Sequence, residues 1–541
     1  MDPSPPANDV DGETEASRLP SSLRDPKKLF YQNDGLRRSI IFAYWVVFIL
    51  ALPVWWYTTS IERLSLPSSR VRQLAQNHLE LPIRVCVDTP DVLFIESVRT
   101  ELARRESKDP QRWRGVALDV LDKADCSTWI IFLVHFFVVI LSPEETTEHD
   151  VYTVSSKAGQ ATIQERRLYL PLTEPDSSTE LVDTLSALLV PYSSFSDPEH
   201  RVAQYSPRYR LAFSLLNEDA AAGGGVKDWR IQEELKSHIS PILRRLAVLH
   251  NFTIESQVQF HAPLAFSPLQ LEDRQYGIAP ADLTVFINSA EWTLSSSSSN
   301  DPVLHFVLFI PSASRRPLRI LANDGTLSPS SAFLLPQWGG IVIHNPISDS
   351  PQNPELPSQD LHAIFSLFAN QLLSLLGVPT LPADVTSLTQ TPHVDATVLS
   401  DCQLDALVRR RTLENSQGSQ DTLLSIIKLV DQIENMPVGQ DVRGDIENAL
   451  DALVKMYESS TTSLQQTFSH SAESLHLASR AFFSPGMLAL LYFPAEHKYA
   501  VYTPLFASAV IPLFVAALRE LLAYRRERKL AKKSQGVAEP H

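Results

Sequence analysis

This 541-residue sequence predicts an α/β domain with a C-terminal helical region, anchored by two transmembrane helices, one near each end. Three observations lead there. Apolar segments long enough to cross a bilayer core stand at Ser39 to Tyr57 and at Tyr499 to Leu518. Between them, runs of β-branched and aromatic residues alternate with segments of helical period, the pattern of a mixed sheet flanked by helices. Beyond about Gln359 the strand-like runs give way to stretches whose apolar residues recur at helical spacing.

The anchors set the topology. Arg24, Lys27, Lys28, Arg37 and Arg38 precede the first span, and Arg525, Arg526, Arg528, Lys529, Lys532 and Lys533 follow the second. Basic residues mark the cytoplasmic side. Residues 1–38 and 519–541 are therefore expected in the cytosol, and the roughly 440 residues between the spans in the lumen or outside the cell. The first span is expected to be retained: its apolar core exceeds a signal-peptide h-region, and Tyr57-Thr58-Thr59-Ser60 is no small-x-small cleavage site. The second, with Val510, Ile511, Leu513, Phe514 and Val515, is apolar all round, and Pro504 and Pro512 predict a kink in it.

Residues 58–358 carry the α/β pattern. Ile83 to Val87 reads as a strand, Thr89-Pro90-Asp91 as a turn, and Phe94, Ile95, Val98 and Leu102 as a helix face. Trp129 to Leu141 is too short to span a membrane comfortably and reads as a buried central strand, with His135 a core residue. Leu168 to Leu172 is strand-like, Thr179 to Val190 helical, and Tyr209 to Leu216 a further strand. Leu235, Ile239, Ile242, Leu246 and Leu249 mark an amphipathic helix bent at Pro241. Phe252 to Phe260, Val303 to Ile310, Leu318 to Leu321 and Ile341 to Ile343 complete the strands; Ala220 to Gly225 and Ser295 to Ser299 read as loops. In residues 359–498, His362 to Leu376 is a helix stopped at Gly377, and two or three long helices run from Gln403 to Arg480, broken near Pro437 and Gly439.

Net charge is −15 although both tails are locally basic, which places the acidic excess between the spans and argues against nucleic acid. One pair plus a thiol, an intermolecular bridge and three buried thiols all suit Cys86, Cys126 and Cys402. Asn251-Phe252-Thr253 is the one sequon between the spans. There is no Walker A loop, H-E-x-x-H, G-x-S-x-G or C-x-x-C motif, and Asp9-Val10-Asp11 falls in the expected cytosolic tail. A Cys/His nucleophile would need one of the three thiols beside His135, His250, His305 or His344. These readings favour a non-catalytic subunit with no cofactor and no metal. The alternatives are a membrane-anchored hydrolase or transferase with an unrecognised site, and a free-standing adhesion or chaperone-like module.

Several stretches in fixed order resemble the PIG-S family, a subunit of the glycosylphosphatidylinositol (GPI) transamidase. They are Tyr209 to Asn217, Asn251 to Gln257, and Gln337-Trp338-Gly339-Gly340-Ile341-Val342 with Asn345. The most specific is the last, Ala481-Phe482-Phe483-Ser484-Pro485 through Leu490-Leu491-Tyr492-Phe493-Pro494 to Lys498-Tyr499-Ala500-Val501-Tyr502-Thr503-Pro504-Leu505-Phe506. The resemblance implies an endoplasmic reticulum complex that joins GPI anchors to proprotein C-termini, with catalysis in a separate caspase-like cysteine protease subunit. Trp338, Gly339, Gly340, Phe482, Phe483, Tyr492 and Phe493 are interface candidates; Trp338-Gly339-Gly340 reads equally as a turn into the next strand. Tyr499, Tyr502, Pro504 and Pro512 are candidates for an intramembrane groove receiving the GPI lipid or the proprotein's hydrophobic tail. Asn251 is the candidate glycosylation site.

Overall fold

In a computed structural model of the chain, the residues described are 34–59, 63–89, 91–122, 151–156, 161–164, 166–170, 177–190, 202–271, 274–294, 299–346, 356–382, 385–387, 399–433, 436–488 and 495–535. They fall into two compact units, Leu66–Leu429 with Asp441–Phe482, and Met1–Ser65 with Val430–Gln440 and Phe483–His541. Trp129 to Leu141, His135, Cys126, Tyr492 and Phe493 lie outside the described residues.

In the larger unit, α2 (Ser68–Leu74) leads into a six-stranded sheet of order β14-β4-β5-β3-β1-β2. Central β1 (Leu81–Asp88) buries Ile83, Val85 and Val87 completely and pairs in parallel with β2 (Val116–Asp122) and β3 (Val151–Ser156). The hairpin β4 (Ala161–Gln164) and β5 (Arg167–Leu170) extends it, and β14 (Val385–Ser387) closes its far edge. Helix α3 (Val92–Lys108) starts where Asp91 accepts hydrogen bonds from the amides of Leu93 and Phe94, a side-chain N-cap. Its Ile95, Val98 and Leu102 are buried, as are Leu181, Val182 and Leu185 of α4 (Ser177–Leu189), which packs on it.

A second sheet, order β12-β13-β10-β6-β7, is parallel except at β12 (Ala332–Leu335). Its central strands β6 (Arg208–Asn217) and β10 (Val303–Ile310) are buried almost throughout, as strands covered on both faces must be. β7 (Asn251–Gln259) is an edge strand, and β13 (Gly339–Ile343) is fully buried. One face carries α5 (Ile231–Glu234), a π-helical turn (Leu235–Ile239), α6 (Ser240–Leu246) and α7 (Ser358–Leu376). Phe213 of β6 stacks there on Phe306 and Phe365, with ring centroids 5.0 and 5.9 Å apart. The other face is packed by Phe286 and Trp292 and by a small sheet of β8 (Leu269–Gln270), β9 (Tyr276–Ile278) and β11 (Leu318–Ile320).

Pro241 sits in the first turn of α6, where its missing N–H costs least, and the π turn precedes it. Helix α7 ends at Gly377, whose φ of +77° is the left-handed cap the sequence anticipates. It packs against β13, and β14 follows it into the first sheet, so strands and helices interleave past residue 359. Three helices then follow, α8 (Asp401–Gln432), α9 (Gln440–Ser459) and α10 (Leu464–Phe482). A buried network joins α8 to the first sheet: Asp405 accepts from Tyr152 Oη at 2.7 Å and from Arg166 at 2.7 and 3.0 Å, while Arg409 donates to Tyr152.

The smaller unit contains α1 (Asp34–Thr59), the turn α11 (Pro485–Leu488) and α12 (Ala495–Gln535). Residues after α1 form a parallel bridge with the segment after α8, Arg63 to Val438, with Leu64 N donating to Val438 O at 3.0 Å.

Candidate functional site

Helices α1 and α12 lie against each other, antiparallel. Near one end, Arg37 and Arg38 both bind the Glu520 carboxylate, and Arg38 reaches Glu527 at 3.4 Å. Near the other, the ring of Trp55 meets Phe506 at 4.8 Å and Tyr502 at 5.9 Å, both edge-on. Such aromatic pairs contribute about 0.5–1.5 kcal/mol each beyond their buried area. Outward-facing Phe42, Leu50, Val54, Leu505 and Phe514 are all at least 60 % exposed, and both helices are long and apolar enough to cross a membrane. Two shallow grooves run between the helices, one lined by Arg38, Trp45 and Glu520, the other by Trp55, Tyr502, Phe506 and Val510. Tyr502 therefore lines a groove, Pro504 and Pro512 lie within α12, which continues through them, and Tyr499 lies in its first turns.

The glycine pair has a packing role in β13. A Cβ on Gly339 would lie 2.0 Å from the His305 carbonyl oxygen, and one on Gly340 2.0 Å from Gln371 Oε1. Trp338 stacks on His305 with centroids 4.6 Å apart. Phe482 ends α10 half-buried, and Phe483 is 66 % exposed. Asn251 opens edge strand β7 and is exposed, within reach of a modifying enzyme. Cys86 is disulfide-bonded, and Cys402 is a buried thiol whose pKa is pushed up to about 12 by burial and by Asp405. Neither presents the thiolate that nucleophilic chemistry requires. His250 and His305 are held neutral, each pushed down to about 4, principally by burial.

Residues 42–527 match the family described as Phosphatidylinositol-glycan biosynthesis class S protein, PIG-S. The chain belongs to the PIG-S family. Relatives of this PIG-S chain include the GPI-anchor transamidase component PIGS of Bos taurus, 28% identical over 92% of this chain and 97% of that one. The GPI transamidase component PIG-S homolog of Schizosaccharomyces pombe is 29% identical over 95% of this chain and 88% of its own length. The GPI transamidase component GPI17 of Saccharomyces cerevisiae is 24% identical over 87% of this chain and 90% of its own.

Sequence reasoning missed two features of this PIG-S chain. Glu520 follows the apolar stretch after Arg519 and reads as part of a charged tail, whereas its side chain is 16 % exposed between two arginines. Glu234, His238 and His362 converge on the π turn, their nearest ligand atoms within 4.8 Å of one another. Burial raises the Glu234 pKa against the opposing pull of His362, and burial together with His362 lowers that of His238. The Glu-x-x-x-His spacing was a visible signal, but its third member lies 124 residues beyond His238.

Proposed function

We propose that the chain is a non-catalytic subunit of the GPI transamidase complex, in the endoplasmic reticulum membrane. It spans the bilayer twice, with both termini cytosolic and the larger unit lumenal. The observation that carries this reading is membership of the PIG-S family over residues 42–527, whose relatives bear the name of transamidase component. The two exposed apolar helices and their basic flanks support the topology. The bonded Cys86 and the protonated Cys402 support a scaffolding role, with catalysis in a separate caspase-like subunit. In this reading the groove of Trp55, Tyr502 and Phe506 faces the hydrophobic tail of the proprotein or the acyl chains of the GPI lipid. Exposed Phe483 is offered to a partner subunit.

The test is purification of the tagged full-length chain from membranes in a mild detergent, with mass spectrometry of what co-elutes. A stoichiometric set containing a caspase-like protease and multi-span partners is expected. A lone, monodisperse protein overturns the reading.

A further inference from the structure

We propose that Glu234, His238 and His362 form a binding site for a divalent transition metal of the zinc class, tying the π turn to α7. Three atoms face one another: His238 Nε2 and His362 Nδ1 are 2.8 Å apart, Glu234 Oε2 is 3.4 Å from the first and 3.9 Å from the second. Ligand atoms about 2.0–2.2 Å from a tetrahedral zinc stand roughly 3.3–3.5 Å from each other, the middle of that range of separations. Two imidazoles and one carboxylate make up a zinc donor set, with the fourth position taken by water.

Burial supplies the second argument. The Glu234 side chain is 7% exposed and that of His238 1%, yet Glu234 Oε2 is buried with no hydrogen-bond partner. A buried carboxylate oxygen without a donor is costly, and a cation between the three groups removes that cost. The 2.8 Å contact between two ring nitrogens uses one proton at most, and the carboxylate gains nothing from it. The orientation of His238 is also set as ligating histidines require. Its other nitrogen, Nδ1, stands 3.5 Å from Ser366 Oγ, whose own hydroxyl donates to the His362 carbonyl at 3.0 Å and so leaves a lone pair toward the imidazole. His362, with a side chain 49% exposed, opens the position to solvent, which gives an ion its entry path.

The backbone agrees with this reading. π turns are rare in helices and concentrate at functional sites, and this one lies between Glu234 and Ser240, with His238 inside it. The inference does not depend on the subunit reading, since it concerns only side chains of one unit.

The test is the zinc content of the full-length chain in detergent, measured by plasma mass spectrometry after dialysis against metal-free buffer, beside His362→Gln and the double variant His238→Ala/His362→Ala. About one more zinc per chain is expected in the wild type than in either variant. Cobalt loaded in place of zinc should give the strong visible absorption of a four-coordinate site in the wild type alone. Equal zinc in the wild type and His362→Gln overturns the proposal. So does a wild type that lacks the cobalt signature, a result that holds even where a variant fails to fold.

Discussion

At Gly339 the atom that matters is a backbone oxygen. His305 and Gly339 are partners in the β10–β13 register, and the His305 carbonyl occupies the space a Cβ would need. Gly339→Ala must displace a central strand, so a loss of about 3 kcal/mol or more is expected in chemical denaturation of the full-length chain in detergent. Gly340→Ala meets the side chain of Gln371 and no backbone atom among its nearest neighbours; Gln371 Nε2 donates to the Phe333 and Ile341 carbonyls, and the change should cost about 1–3 kcal/mol. Equal losses at the two positions would contradict this account. His250 gives a pH dependence. Its Nδ1 donates to the Ser206 carbonyl at 2.6 Å, but burial dominates and the folded pKa lies near about 4 against an ordinary 6.5. Above pH 6.5 neither state binds the proton; as pH falls from there toward 4 the unfolded chain takes it up first, and stability drops. The loss should be about 2 kcal/mol by pH 5, and His250→Gln should flatten the decline in denaturation midpoint.

Among the elements, α8 holds the larger unit together through charges that are nearly all buried. Arg411 is 1% exposed and donates to the carbonyls of Ala203 and Leu376, the latter at the end of α7, and to Glu414 at 2.7 Å. Burial pushes the Glu414 pKa up, yet Arg411 and Arg410 outweigh it and hold the carboxyl below its ordinary value. Arg411→Met leaves two carbonyls without a donor while Arg410 still partners Glu414, so a loss of about 3 kcal/mol is expected, measured by the same denaturation. Stability unchanged in that variant would show that the α7 end is held by packing alone. The long elements were legible because their apolar period is local: β1, β6, β10 and α7 lie where the runs around Val85, Phe213, Phe306 and Phe368 place them. The strands β2, β4, β12 and β14 were not, being short or carrying residues such as Asp119 and Thr162 between apolar ones. Division of the strands into three sheets was also hidden, because pairing partners such as Val385 and Ala161 are set by contacts distant in sequence.

For the molecule as a whole, the two apolar helices and the family were legible in the sequence. The aromatic cluster that includes Tyr502 was legible in the sequence. The three-residue constellation at His238 was not, because only the fold brings His362 to it. Orientation is tested most directly at Asn251, which is exposed at the sheet edge. With the larger unit lumenal, glycosidase treatment should increase gel mobility by one glycan, and Asn251→Gln should abolish the shift. Identical mobility before and after treatment would contradict that expectation.

The pairing of α1 with α12 has a consequence for synthesis. The first helix leaves the ribosome roughly 430 residues before its partner, an interval on the order of 20–90 s at ordinary elongation rates. Throughout that time Arg37, Arg38 and the Trp55 ring have neither Glu520 nor Phe506 to meet. Every newborn copy thus passes through a stage in which α1 is made and its partner is not, with its charged and aromatic contacts still open. A chaperone or degradation factor that reads such contacts has a timed window in which to distinguish finished chains from arrested ones.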